Sequence, residues 1–159
     1  MKRDTKKIGT ISELMVMAAL VRAGYRILIP YGDSARYDVV VEDSDGAFHR
    51  VQIKTGRLRN GAIEFNGASS HTHRGGVSTR TYVGEVEFFG VYCPQLGRCY
   101  LVPAAEVVTF GSLRVVSPRN GQSRGIRWAS GYELPILERD QKVGAGAPRV
   151  VPFSGILPS

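Results

Sequence analysis

The sequence predicts an α/β fold in a single domain, from a helical apolar repeat near the N-terminus, two β-branched runs joined by turn residues, and ample apolar content. The helix spans residues 8–23. Ile11, Leu14, Met15, Ala18, Leu20 and Val21 recur there at helical spacings, Thr5 or Thr10 can cap its start, and Gly24 can serve as the C′ residue. Met17 and Ala19 widen the apolar surface, so the helix is expected to be covered on most sides. A chain of 159 residues that is 43% hydrophobic and 22% charged holds one domain with a real core.

The strands follow the helix. Tyr25 to Pro30 (YRILIP) reads as a short strand that Pro30 ends. Residues 36–55, RYDVVVEDSDGAFHRVQIKT, read as a hairpin around which the rest is organised. Val39, Val40 and Val41 form one strand, Asp43 to Gly46 supply the turn, and Phe48, Val51 and Ile53 resume the strand pattern. Ala62 to Phe65 can add a fourth strand. Residues 82–92 and 99–102 read as a later hairpin, and Pro103 can open a short helix AAEVV. Residues 67–81, GASSHTHRGGVSTRT, are too polar for core and read as a loop. Trp128 in GIRWA reads as a packing residue. From residue 141 onward the chain is rich in Gly and Pro without periodicity. The expected organisation is therefore a domain over residues 1–140 and an extended tail over 141–159, whose Val150, Val151, Phe153, Ile156 and Leu157 offer surface to a neighbouring subunit.

Side chains alternate along a strand, so Gln52 and Lys54 share one face while Val51 and Ile53 share the other. A polar pair thus stands where a core strand would carry two more apolar residues. Asp38 begins the strand that pairs with this one, so an acid, an amide and an amine converge at one sheet edge, as a hard divalent cation and an activated water require. Glu13, the acid that interrupts the helix, either answers the helix macrodipole or points back towards Asp38.

The net charge of +7 and pI near 9.7 favour a polyanionic partner. Residues 56–84 carry Arg57, Arg59, Arg74 and Arg80 against one acid, Glu64, and residues 111–131 carry Arg114, Arg119, Arg124 and Arg127 with none. Both stretches are rich in Gly, Ser, Thr and Asn and read as arginine-bearing loops, which suits phosphate better than a membrane surface. No apolar run approaches the ~20 residues that span a bilayer, and no signal-peptide pattern opens the chain, so the expected location is cytoplasmic. Cys93 and Cys99 flank a turn where they can face each other across a hairpin; in a reducing compartment they read as free thiols. His71 and His73 have an H-x-H spacing but no neighbouring Cys or acid to complete a zinc site.

Glu13, then RYD with Asp38, then VQIK with Gln52 and Lys54, resembles the PD-(D/E)XK nuclease signature. The later FFGVYCP, CYLVP and RNGQSRGIRWA segments resemble the compact group containing the intron-encoded homing endonuclease of that fold. The resemblance covers residues 5–135. It implies a restriction-endonuclease-like fold with a central mixed β-sheet flanked by helices. It also implies catalytic roles for Glu13, Asp38, Gln52 and Lys54, and Mg²⁺ or Mn²⁺ held by Asp38, Gln52 and the Ile53 carbonyl, with Glu13 acting through a water. Lys54 would orient the attacking water and offset charge on the phosphate. Gln52 departs from the usual acid two residues before the lysine, as in the homing group. The expected function is a metal-dependent endonuclease acting on double-stranded DNA, of site-specific homing type, with Arg57, Arg59, Arg74, Arg80, Arg124 and Arg127 on the DNA. One small site cuts one strand, so a homodimer or homotetramer is expected. The alternatives are a Holliday-junction resolvase, whose acid order is similar, and a catalytically weak DNA-binding module that keeps the fold.

Overall fold

A computed structural model describes residues 4–118, 121 and 124–135. Helix α1 (Thr5–Arg22) begins at Asp4, whose carboxylate accepts a hydrogen bond from the Lys7 amide at 3.1 Å. The expected caps do not serve: Thr5 is already helical, and the Thr10 hydroxyl donates to the Lys6 carbonyl inside the helix. Gly24 ends the helix as expected, at φ 94° with its amide donating to the Val21 carbonyl.

The strands among the described residues are β1 (Arg26–Leu28), β2 (Val39–Glu42), β3 (Phe48–Thr55), β4 (Arg57–Arg59), β5 (Ala62–Asn66), β6 (Ala68–His73), β7 (Gly76–Thr81), β8 (Phe88–Cys93), β9 (Arg98–Pro103) and β10 (Phe110–Arg114). The central sheet has the order β1-β2-β3-β8-β9 and is mixed, because β3 and β8 run parallel while its other pairs are antiparallel. The β2–β3 hairpin forms as the sequence predicts, with Val39 opposite Val51 and the Asp43 carboxylate accepting from the Asp45 and Ala47 amides in the turn. A parallel pair demands a long crossover. Residues 56–87 supply it by building β4, β5 and the β6–β7 hairpin, and β10 later joins them in a three-stranded sheet of order β10-β5-β4.

Three layers result. Val16, Ala19 and Leu20 of α1 pack on Val39, Val41, Val51, Ile53, Phe88 and Leu101. On the opposite face Phe89, Val91, Tyr100 and Val102 pack with Ile63, Phe65 and Leu113 of the second sheet. Helix and sheet approach closely at Gly90, where a Cβ would lie 2.6 Å from a methyl of Val16. The α/β class and mixed sheet are therefore as expected. The flanking differs in detail: among the described residues one α-helix covers one face, and a small sheet, not a second helix, covers the other.

Several local expectations are corrected. Residues 67–81 are not a loop but the antiparallel β6–β7 hairpin, in register from Ala68 opposite Thr81 to His73 opposite Gly76. Residues 70–80 are exposed, so neither face of this ribbon carries the apolar alternation that marks a core strand. The second arginine stretch is likewise not all loop, since β10 occupies its start. The AAEVV helix shrinks to a 3-10 turn at Ala104–Glu106, with Val107 already extended and Pro103 ending β9. The strand expected from Tyr82 starts only at Phe88; before it the Glu85 and Val86 amides turn back to the Tyr82 carbonyl. Cys93 and Cys99 are both buried free thiols, as read from the sequence. They cannot face each other, because Cys99 opposes Tyr92 and packs in the α1 layer while Cys93 packs in the other. Trp128 belongs to neither core and is 41% exposed. The helix is also less covered than expected, with Ile11, Leu14 and Val21 exposed. Among the described residues no helix is long and apolar enough to cross a membrane. The tail over 141–159, Arg119 and the tail's apolar residues lie outside the described residues.

Candidate active site

Strand alternation does at β3 what the sequence requires. Val51 and Ile53 are buried under α1, whereas Gln52 and Lys54 are half-buried on the other face. The parallel register sets Gln52 beside Phe89 and Lys54 beside Val91. Asp38 immediately precedes β2 and its amide donates to the Val51 carbonyl, which draws its side chain towards β3. The Asp38 Oδ2 atom then accepts two hydrogen bonds at 2.6 Å, one from the Ile53 amide and one from Gln52 Nε2. Gln52 Nε2 also reaches the Ile53 carbonyl oxygen at 3.4 Å. The acid, the amide and the main chain of Ile53 thus meet within hydrogen-bonding distance.

Lys54 Nζ donates to the Tyr82 hydroxyl at 3.2 Å and lies 4.6 Å from that ring's centre. Its positive charge is also felt at Asp38. Burial pushes the Asp38 carboxyl above its ordinary value, against the downward pull of the Ile53 amide, the Lys54 charge and the Gln52 amide. Glu13 sits on the exposed side of α1, one residue after Ser12, whose hydroxyl pairs with that of Thr55 at the end of β3 at 2.6 Å. Partial burial raises the Glu13 carboxyl, and the negative charge of Asp38 raises it further, so the two acids sense one another.

The donor chemistry fits a small hard cation. Among the described residues no three His, Cys, Asp or Glu side chains converge as a metal centre, and His71 and His73 stand on the exposed hairpin. A cation at Asp38 would draw on oxygen: the Asp38 carboxylate, the Ile53 carbonyl and the amide of Gln52. The Gln52 amide already points its polar end at the other two oxygens, and turning it over presents its own oxygen in their midst.

Lys54 also lines a groove of about 680 Å³ bounded by Thr55, Arg57, Arg59, Glu64, Ser69 and Ser70 among others. Arg57 and Arg59 are exposed on β4 along this groove, with Glu64 opposite Arg57 across the β4–β5 pair. The remaining arginines are placed elsewhere. Arg74 is exposed at the hairpin turn, and Arg124 is exposed in the segment after β10. Arg80 is ion-paired with Glu85, and Arg127 lies 3.2 Å from Glu106.

The sequence reading missed the group behind the lysine. Tyr82 is buried, and Arg36 lies over its ring at 4.3 Å. The Arg36 guanidinium bonds Glu85 at 2.7 Å, the Ser69 hydroxyl at 2.8 Å and the Thr81 carbonyl at 3.0 Å, tying the base of the β6–β7 hairpin to the site. Arg36 is part of the RYD motif, but Tyr82 lies in a segment read as strand, and no local pattern marks it.

A mixed sheet covered on both faces, with an acid and a Gln-x-Lys pair meeting where β2 and β3 pair in its interior, defines the restriction-endonuclease-like class. The chain belongs to the PD-(D/E)XK endonuclease family, whose model matches residues 3–135. Its fold is similar to that of the bacterial homing endonuclease I-Ssp6803I, with a TM-score of 0.66 over 82% of this chain and 89% of that one at 22% identity. A stretch of 79 residues is 37% identical to UPF0102 protein CE1920 of Corynebacterium efficiens, covering 46% of this chain and 59% of that protein's length.

The raised Asp38 carboxyl has a consequence for stability. A carboxyl that ionises less readily in the folded chain contributes stability that is complete below its unfolded pKa and is lost as pH rises through the folded pKa. Asp38→Asn keeps an acceptor for the Ile53 amide and removes the charge. We expect its Tm to exceed the parent's by a few degrees at pH 7, with the gap closing below about pH 4. Thermal melts of both proteins across pH 3 to 8 test this, and a parent that gains on the variant as pH rises contradicts it.

Proposed function

We propose that this protein is a divalent-metal-dependent DNA endonuclease that hydrolyses phosphodiester bonds in duplex DNA, of site-specific homing type. The observation that carries the reading is the meeting of Asp38, Gln52 and the Ile53 main chain beside Lys54, in a chain that belongs to an endonuclease family. Asp38, Gln52 and the Ile53 carbonyl are the residues that would hold Mg²⁺ or Mn²⁺, with Glu13 behind them on α1. A bound ion of this kind supplies Lewis-acid charge at the phosphate and acidifies water. Lys54 carries a fixed positive charge on the side of the cluster that opens to the groove. It orients the attacking water and offsets the negative charge that grows on the phosphate oxygens. Arg57 and Arg59 along the same groove neutralise backbone phosphates. Arg74 and Arg80 on the β6–β7 hairpin, with Arg124 and Arg127, extend the contact; a two-stranded ribbon of this kind fits the major groove.

The first test is cleavage of plain duplex and of four-way junctions with Mg²⁺ present. Asp38→Ala and Lys54→Ala are expected to abolish cleavage while DNA affinity stays within a few-fold, since they remove interactions made mainly in the transition state. Near-normal cutting by either variant refutes the site. Junction cutting without duplex cutting points to the resolvase reading, and tight binding without cutting by the parent points to a binding module, which Gln52 in place of an acid would suit.

A second test concerns the groove. Arg57→Ala with Arg59→Ala is expected to weaken binding to all sequences alike and to reduce the log–log salt slope by about 0.9 for each phosphate no longer neutralised. An unchanged slope places both arginines on ordinary solvated surface.

We also propose that two copies act together as a homodimer or homotetramer, because one site meets one strand and two-fold pairing brings a second site to the other. Light scattering should then show an oligomer at micromolar concentration. A monomer with and without DNA rejects the assembly while leaving the site untouched.

A further inference from the structure

We propose that Tyr82 is the positioning residue of the active-site lysine: its hydroxyl accepts a hydrogen bond from Lys54 Nζ at 3.2 Å while its ring is clamped by Phe89 and Arg36. The inference rests on the role given to Lys54 above and adds the device that aims it. A lysine side chain has four rotatable bonds, and holding it in one geometry forfeits rotamer freedom. Something rigid has to hold it if the ammonium is to be in place before the substrate arrives.

Tyr82 is rigid on every side the structure describes. The residue is 6% exposed. Its ring meets Phe89 edge-on, with centroids 5.7 Å apart and planes at 88°, and Phe89 is itself fully buried in the central sheet. The Arg36 guanidinium lies over the ring at 4.3 Å and cannot swing away, because Glu85, Ser69 and the Thr81 carbonyl each accept one of its hydrogen bonds. Core packing accounts for the ring but not for a phenol oxygen facing an ammonium. A phenylalanine would fill the same space in the core. Of the three N–H donors of Lys54, Tyr82 engages one, and among the described residues the others are left for the water and the phosphate oxygens.

Tyr82→Phe separates the two roles, since it keeps the ring, the Phe89 contact and the Arg36 stack while deleting the acceptor. Expected are an unchanged Tm, DNA affinity and KM, with a single-turnover cleavage rate lower by roughly 10- to 100-fold, the scale of a misaligned reacting group. Tyr31→Phe, at a fully exposed position, serves as the matched control and should cut like the parent. Limited acetylation with acetic anhydride, read by peptide mass mapping, provides a readout independent of cutting. Freed of its acceptor, Lys54 should react several-fold faster relative to Lys6 and Lys7 in Tyr82→Phe than in the parent. Parent-like cleavage together with parent-like Lys54 reactivity overturns the proposal. So does a slower cut with unchanged Lys54 reactivity, or a raised KM with an unchanged rate, because the hydroxyl then acts on something other than the lysine. If Lys54→Ala still cuts, the role of Lys54 in catalysis fails, and the acetylation result alone decides whether Tyr82 holds its ammonium.

Discussion

The period-two alternation of β3, locked in place by its parallel pairing with β8, is the constraint on which both the core and the candidate site depend. Val51 and Ile53 must face α1, which leaves Gln52 and Lys54 on the face that β8 fills with Phe89 and Val91. Phe89 and Val91 are fully buried beneath the second sheet, whereas their β3 neighbours are only half-buried. The cover therefore ends between β8 and β3, and the polar pair stands at its rim. A register slip of one residue would bury Gln52 and Lys54 under the helix and turn two apolar side chains to the groove, so the α1 packing and the chemistry enforce the same register.

Asp38 shows what this placement costs. Its carboxyl is sufficiently buried that desolvation outweighs the combined pull of an amide hydrogen bond, the Lys54 charge and the Gln52 side chain. A fold selected for stability alone would place no carboxylate there. The neutral amide of Gln52 moderates the cost, because a second acid two residues before the lysine would add like-charge repulsion at the same spot. Glu13 already contributes some from α1. An amide keeps the oxygen donor and spares that repulsion, while offering a cation less charge.

The crossover that the parallel β3–β8 pair requires is used for more than connection. Residues 56–87 leave β3 at Lys54 and Thr55, lay Arg57 and Arg59 along the groove, send the β6–β7 hairpin into solvent, and return through Tyr82 behind Lys54. Arg36, two residues before Asp38, fastens the hairpin base through Ser69 and Thr81. The segment before the acid and the segment after the lysine are thus joined through one guanidinium.

The helix, the β2–β3 hairpin and the facing of Gln52 and Lys54 were legible in the sequence because they are set by short-range physics: helical and strand periodicity, turn residues at Asp43 to Gly46, and the alternation of side chains along one strand. The meeting of Asp38 with Gln52 was legible too, since two strands joined by a tight turn lie in a register that few residues fix. The β6–β7 hairpin was not, because a ribbon exposed on both faces has no apolar alternation to betray it. The facing of Cys93 and Cys99 to opposite layers depended on one residue of register in the β8–β9 turn, which the spacing CPQLGRC leaves open. Tyr82 and Arg36 could be found only in three dimensions. Their partners lie 28 and 49 residues away in the chain, and contacts at such separations are decided by how whole layers pack, not by any pattern that neighbouring residues carry.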